Sequence, residues 1–192
     1  MHAFFIKELS DKFRYGNYDV VGAYITEYYI SQDLCSNGKV STARERMANL
    51  KHTSVGKPAP EIIMPAYDGT STKMSDIRND YLLIVFWSSY CFHCTQVLPK
   101  LKQVYDHRNG PGLEILAIST DTYQQDWQNF IKNENLTWIN FCDLKGWDSN
   151  ITKNYNVQGT PTYLLLNKEK MIIAKPATLE ELLSKLKELN LF

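Results

Sequence analysis

Tyr81-Leu82-Leu83-Ile84-Val85-Phe86-Trp87-Ser88-Ser89-Tyr90-Cys91-Phe92-His93-Cys94 is the stretch from which the rest of the chain is read. Tyr81–Trp87 is a continuous apolar run of strand length, the pattern of a strand buried on both faces. It runs directly into Cys-x-x-Cys, and a helix opens there, reaching to about Asp106 with Pro99 inside it. Each part has a chemical use. A first cysteine at a helix N-terminus faces unpaired backbone N–H groups and the positive end of the helix dipole, and both stabilise a thiolate. The thiolate is the nucleophile of disulfide exchange. Two intervening residues let the second sulfur close a small loop onto the first, and His93 between them can add positive charge beside the sulfurs.

Outward from this segment the pattern alternates. Leu113–Ile118 reads as the next strand, Tyr123–Asn133 as a helix with Trp127, Phe130 and Ile131 on one side, Trp138–Phe141 as a short strand and Ser149–Tyr155 as a short helix. Tyr163–Leu166 and Met171–Ala174 are strands joined by the turn Asn167–Lys170. Thr178 opens the last helix with Glu181 at capping-box spacing, and Leu179, Leu182, Leu183 and Leu186 form its buried face. Strand and helix in alternation predict an α/β fold with a parallel portion, and the final hairpin makes the sheet mixed.

Upstream, Gly56-Lys57-Pro58-Ala59-Pro60 cannot continue a helix and marks the clearest break. Glu61-Ile62-Ile63-Met64 and the turn signal Tyr67-Asp68-Gly69 follow it. The expected division is a helical N-terminal segment, residues 1–55, and a domain over 56–192. In the first segment Phe4, Phe5, Ile6, Leu9 and Phe13 recur at helical spacing up to Gly16. Asp19 can cap a second helix through Val20, Tyr24, Ile25, Tyr28 and Tyr29, and Ser41 or Thr42 opens a third. Five of the 12 tyrosines, Tyr15, Tyr18, Tyr24, Tyr28 and Tyr29, lie here. An amphipathic aromatic stripe of this kind reads first as packing against the rest of the chain, and otherwise as a partner-binding face.

Composition removes whole classes of function. With 44% hydrophobic and 22% charged residues the 192-residue chain is ordinary globular material, long enough to bury a proper core. Lys plus Arg and Asp plus Glu are both 21, so there is no basic excess for nucleic acid or an anionic membrane surface. Four cysteines are too few for a disulfide-built scaffold. No apolar run approaches the length of a membrane span, and Phe4-Phe5-Ile6, followed by Lys7 and Glu8, is too short for a signal-peptide core.

A second element lies far along the chain. Gly159-Thr160-Pro161-Thr162 enters a strand, and a proline at a strand entry is a candidate cis bond. The interval from Cys94 to Pro161 holds about two βαβ units of roughly 30 residues each, so the two segments can face one another. With these pieces in place, residues from about 56 onward resemble a thioredoxin-fold thiol-disulfide oxidoreductase of the TlpA/ResA type, within the AhpC/TSA-redoxin superfamily. The resemblance rests on Gly56-Lys57-Pro58-Ala59-Pro60, Val85-Phe86-Trp87 before Cys91-Phe92-His93-Cys94, Pro99 five residues after the second cysteine, and Gly159-Thr160-Pro161-Thr162. The helix and strand across 121–148 are similar to the insertion this family adds to the minimal thioredoxin fold.

The resemblance implies a thioredoxin-like mixed sheet flanked by helices, with a small helical segment in front. It implies Cys91 as attacking and Cys94 as resolving cysteine, Pro161 as the cis-proline and Thr160 as the residue whose backbone pairs with a substrate strand. Trp87 and Tyr90 are candidates for the substrate groove, Trp87 equally for the core, and His93 for tuning the thiols. It implies no cofactor and no metal, protein thiols or disulfides as substrates, and an upstream redox partner. The place implied is the bacterial periplasm or cell envelope, as part of a lipoprotein-like precursor, with the cytoplasm as the alternative. Two positions depart from the family pattern. The buried acid that thioredoxins carry six residues before the first cysteine is Val85 here, and the Glu that ResA-like proteins often carry three residues after the second is Val97. With no acid visible, proton transfer at Cys94 falls to water, His93 or an acid elsewhere in the fold, and the pair is expected on the oxidising side of thioredoxin.

Other readings of the same residues stand beside this one. A structural zinc site at Cys91 and Cys94 needs two further ligands, and no second Cys-x-x-Cys or paired-histidine motif supplies them. Cys35 and Cys142 read as isolated packing cysteines, with a bridge between them as the alternative. His52 and His107 carry no partner signature and read as surface. Ser88 stands three residues before Cys91, like the hydroxyl that polarises peroxide in a thiol peroxidase, but Ile84 occupies the place of the proline expected with it. A third class is a partner-binding module on a thioredoxin-like scaffold.

Overall fold

The apolar run Tyr81–Trp87 is β3, the middle strand of a five-stranded sheet with order β5-β4-β3-β6-β7. A computed structural model of the chain describes residues 52–65 and 71–192, with Val21, Tyr24, Tyr28 and Asn49 as single helical positions before them. β3 pairs in parallel with β4 (Leu113–Ser119), and β4 in parallel with β5 (Ile139–Cys142). On its other side β3 pairs antiparallel with β6 (Thr162–Asn167), and β6 with β7 (Ile172–Ala174), so the sheet is mixed as the hairpin predicts. A separate antiparallel pair, β1 (Ile63–Pro65) and β2 (Ser71–Lys73), precedes it.

Alternation along β3 builds two cores. Leu83, Val85 and Trp87 face one way, and Leu82, Ile84 and Phe86 the other. The first set packs against α1 (Phe92–Asp106) through Cys94, Leu98 and Leu101, and against α2 (Gln124–Asn133) through Trp127 and Ile131. It also meets α4 (Leu179–Glu188) through Leu179, Leu182 and Leu186. The second set meets Ile62, Met74, Ile77 and Tyr155, the residue after α3 (Asn150–Asn154). Burial on both faces is why β3 is apolar throughout. Helices and strands fall within a residue or two of their expected spans, and Leu183 is only partly buried on α4. α1 continues through Pro99, whose ring nitrogen gives up one ladder hydrogen bond without ending the helix.

The parallel strands end level with one another. Trp87 is in register with Ser119, and Ser119 with Cys142, so the loops after β3, β4 and β5 share one edge of the sheet. At the opposite flank the Gly56–Pro60 segment covers β7: Gly56 N–H donates to Ile172 O at 2.8 Å, Ile172 N–H to Lys57 O at 2.9 Å, and Ala59 N–H to Lys170 O at 2.9 Å. Gly56 has φ of +86°, a conformation that favours glycine.

Most of the residues expected to form N-terminal helices, the turn Tyr67-Asp68-Gly69, and Cys35 lie outside the described residues. Tyr24 and Tyr28 are helical, and both are exposed rather than packed into a core. Among the described residues no helix is long and apolar enough to cross a membrane.

Candidate active site

β3 delivers the chain to the edge of the sheet, and the loop Ser88–Tyr90 turns it into α1. The Cys91 N–H donates to Ser88 O at 3.1 Å, closing the turn. Cys91 is the N-cap of α1 with an extended backbone, and its Sγ accepts the Cys94 N–H at 3.2 Å. One of the N–H groups that a helix start leaves unpaired is thus aimed at sulfur. Cys91 is half-buried, whereas Cys94, one turn further along, is fully buried among Trp87, Leu98 and Tyr163. Burial pushes the Cys94 thiol well above the usual cysteine range. A hydrogen bond with Cys91 adds to the rise, and hydrogen bonds from the Ser88 backbone and Thr160 partly oppose it.

The second expected segment does arrive at the pair. The Thr160–Pro161 peptide is cis, and the Cys91 thiol donates to Thr160 O at 3.2 Å. The backbone group expected to pair with a substrate strand is here held by the first thiol. Tyr90 is exposed, its hydroxyl donating to Asp126 on α2. That bond raises the Tyr90 phenol to about 12, with smaller contributions from desolvation and from the charges of Asp126 and Asp121. His93 is exposed, edge-on to the Phe92 ring at 5.9 Å.

Trp87 is not at a groove. Its side chain is fully buried and packs on Phe130 of α2 at 5.1 Å between ring centroids. As the last residue of the central strand it points into the core shared with α1, so the groove assignment is corrected. His52 and His107 are exposed, as read. Cys142 is a free, half-buried thiol whose Sγ donates to Asp121 O at 3.4 Å, and burial pushes it up. Among the described residues no group of three or more His, Cys, Asp or Glu side chains gathers as a metal site would require.

An acid without any sequence motif lies beneath the loop before Cys91. Asp121, in the loop after β4, is 1% exposed, and its carboxylate takes the Ser88 hydroxyl at 2.5 Å and the Ser89 N–H at 3.0 and 3.1 Å. The one hint in sequence is its position just past the end of a predicted parallel strand, where loops carry sites in α/β sheets.

The model of the AhpC/TSA family matches residues 55–178. The chain belongs to the AhpC/TSA family. Within that family it is similar to the thiol-disulfide oxidoreductase ResA of Bacillus cereus, 26% identical over 128 residues, covering 67% of this chain and 72% of that protein. A thiol-disulfide oxidoreductase from Bacteroides fragilis is 33% identical, with TM-score 0.62, over 69% of this chain and 99% of that one. The thioredoxin domain of a thiol-disulfide oxidoreductase from Bacteroides vulgatus is 26% identical, with TM-score 0.65, over 71% and 98%. This AhpC/TSA member is a thioredoxin-fold thiol-disulfide oxidoreductase of the TlpA/ResA type.

Proposed function

We propose that Cys91 and Cys94 are the redox pair and that Cys91 attacks first. The observation that carries this is the contrast between the two sulfurs: Cys91 is accessible and accepts a helix N-terminal N–H, while Cys94 has no exposed surface. In the reducing direction the Cys91 thiolate attacks one sulfur of a substrate disulfide. That S–S bond breaks, the leaving substrate thiolate takes a proton, and a mixed disulfide joins Cys91 to the substrate. Cys94 then loses its proton and attacks Cys91 Sγ, the mixed disulfide breaks, and the substrate leaves as a dithiol. Two electrons pass from the pair to the substrate, and the oxidising direction is the reverse.

Proteins are the proposed substrates. Tyr90, Phe92, Tyr123, Leu144 and Trp147 are the large exposed hydrophobics among the described side chains from residue 73 onward, and all lie just past the ends of β3, β4 and β5, at the edge that carries Cys91. An apolar rim around a nucleophile suits a polypeptide surface better than a small charged disulfide. An extended substrate segment would take over Thr160 O from the Cys91 thiol, in the manner of strand addition. An upstream redox partner would dock on the same rim. His93 is proposed as a modest tuner at most, because a charge in solvent is screened. The division into an N-terminal segment up to residue 55 and a catalytic domain, and a location in the bacterial cell envelope, belong to the same reading.

The thiol peroxidase alternative would need the Ser88 hydroxyl to face peroxide at Cys91. Its proton is directed at Asp121 instead, and its oxygen accepts the Tyr90 N–H at 3.2 Å.

Trapping tests the order of attack. Cys94→Ala is expected to accumulate mixed disulfides with protein partners through Cys91, because the first exchange proceeds and release does not. Non-reducing gels with mass mapping would read this. Capture by Cys94→Ala no greater than by Cys91→Ala would reverse or remove the assignment.

A further inference from the structure

The loop between β3 and the first cysteine is held from the loop after β4, 33 residues away. Thr120 directs both its N–H and its hydroxyl to Trp87 O, at 2.8 and 3.2 Å. Asp121 takes the next two residues, with Oδ1 receiving the Ser88 hydroxyl at 2.5 Å and the Ser89 N–H at 3.0 Å, and Oδ2 receiving the same N–H at 3.1 Å. The carboxylate is itself fixed from behind: its own N–H donates to Ser119 Oγ at 2.9 Å, and its carbonyl accepts from Cys142 Sγ at 3.4 Å. Ser88 is the residue through which all of this reaches the redox pair. Its carbonyl accepts the Cys91 N–H at 3.1 Å, and its hydroxyl oxygen accepts the Tyr90 N–H.

We propose that Asp121 is a positioning residue of the redox site, acting through Ser88 to hold Cys91 in the geometry from which it attacks a disulfide. Burying a carboxylate almost completely is costly, and the cost is recovered when the loop supplies it with charge-assisted hydrogen bonds. The same bonds commit Ser88 and Ser89 to one conformation, and that conformation sets where the helix N-cap sulfur lies. With both bonds gone, the loop is still held at its ends, by the Thr120 clamp on Trp87 and by the bonds of Tyr90 and Cys91, but nothing from β4 fixes Ser88 and Ser89 between them. In-line attack along an S–S axis is sensitive to sub-ångström placement. The contact therefore acts on the rate at which Cys91 reacts rather than only on whether the domain folds.

This rests on Cys91 as the attacking thiol, and the experiment separates the two ideas. The full chain, reduced and freed of reductant, is mixed with oxidised glutathione. Cys91 thiolate attacks one glutathione sulfur, glutathione leaves as a thiol, and Cys94 then displaces the second glutathione, so the pair loses two electrons to the added disulfide. The second-order rate of the first step is measured at one fixed pH, with each variant shown folded by its thermal transition. Asp121→Ala and Ser88→Ala are expected to slow this step by about tenfold or more. Asp121→Asn keeps an oxygen at Oδ1, the atom that both Ser88 and Ser89 use, and is expected to restore most of the rate. That rescue is not expected from a carboxylate that serves stability alone.

Folded Asp121→Ala reacting within about twofold of the wild type overturns the proposal, as does Asp121→Asn as slow as Asp121→Ala. If Asp121→Ala does not fold, Ser88→Ala, which removes a single hydroxyl from a half-buried loop, decides it by the same margin. A Cys91→Ala chain that still forms the glutathione adduct at the wild-type rate would instead overturn the assignment of Cys91.

Discussion

Cys94 is buried in the core cluster that also holds Trp87, Leu98 and Tyr163 and has no surface of its own, one helical turn from a partner that solvent reaches. A thiol pushed up by burial stays protonated near neutral pH, and the thiolate is the species that alkylates. Iodoacetamide at neutral pH is therefore expected to label Cys91 first, with Cys94 slower by about tenfold or more, as peptide mass mapping would show. Equal labelling of the two would refute the contrast. Single residues also mark where sequence reading stopped short. Trp87 read equally well as groove or core, because an aromatic at a strand end suits both, and only the packing against Phe130 chooses. Asp121 carried no motif at all, since its partners Ser88 and Ser89 belong to a different strand–helix connection.

At the scale of elements, α4 shows local chemistry read correctly from sequence with one difference in detail. Thr178 Oγ1 accepts the Glu181 N–H at 3.2 Å, as a capping residue should, but the Glu181 carboxylate reaches back to the Ala177 N–H at 2.9 Å rather than to that of Thr178. Glu180 and Glu181 sit in the first turn and Lys185 and Lys187 in the last, each favourable to the helix dipole. Thr178→Ala is expected to cost about 1 kcal/mol of stability with little effect on disulfide exchange. A denaturant midpoint left where it was would show that the cap contributes nothing. α1 behaves differently, because its N-terminus serves the thiols: the place of a capping hydroxyl is taken by sulfur.

For the whole molecule, several tyrosines are tied into the two cores, and they predict how the fold fails in alkali. Burial raises the Tyr105 phenol to about 12, with Glu114 adding to the rise through charge and through a 2.9 Å hydrogen bond. Burial likewise raises Tyr155, which donates to Pro60 O at 2.5 Å, and Tyr163, which lies in the cluster that holds Cys94. In the unfolded chain each phenol ionises near the ordinary value of about 10, so the folded state binds these protons more tightly. Their contribution is fully present below about pH 10; that of Tyr105 is lost as pH rises toward 12, the value it reaches, and the loss from Tyr155 and Tyr163, which are raised further, begins in the same window and continues past it. Thermal unfolding of the reduced protein should show a falling midpoint across that window, with phenolate absorbance from these three residues appearing only as structure is lost. Full phenolate absorbance near pH 10 in a still-folded chain would contradict it.

The spans of β3, α1 and α4, the mixed sheet, the helix start at the first cysteine, the possibility that Thr160-Pro161 faces the cysteine pair and the cap at Thr178 were all legible in the sequence. Each is governed by near neighbours along the chain or by a strong apolar period, and the Thr-Pro segment by a motif that accompanies the cysteines. What only the tertiary structure decided is which side chains from distant strands meet at the edge of the sheet. β3 and β4 end in register at Trp87 and Ser119, and that register places Asp121 beneath Ser88. The same register ends β5 at Cys142, within reach of the Asp121 carbonyl. Side-chain contacts of this kind depend on strand register and burial, which are set by the packing of both cores at once, and no local pattern around residue 121 encodes them.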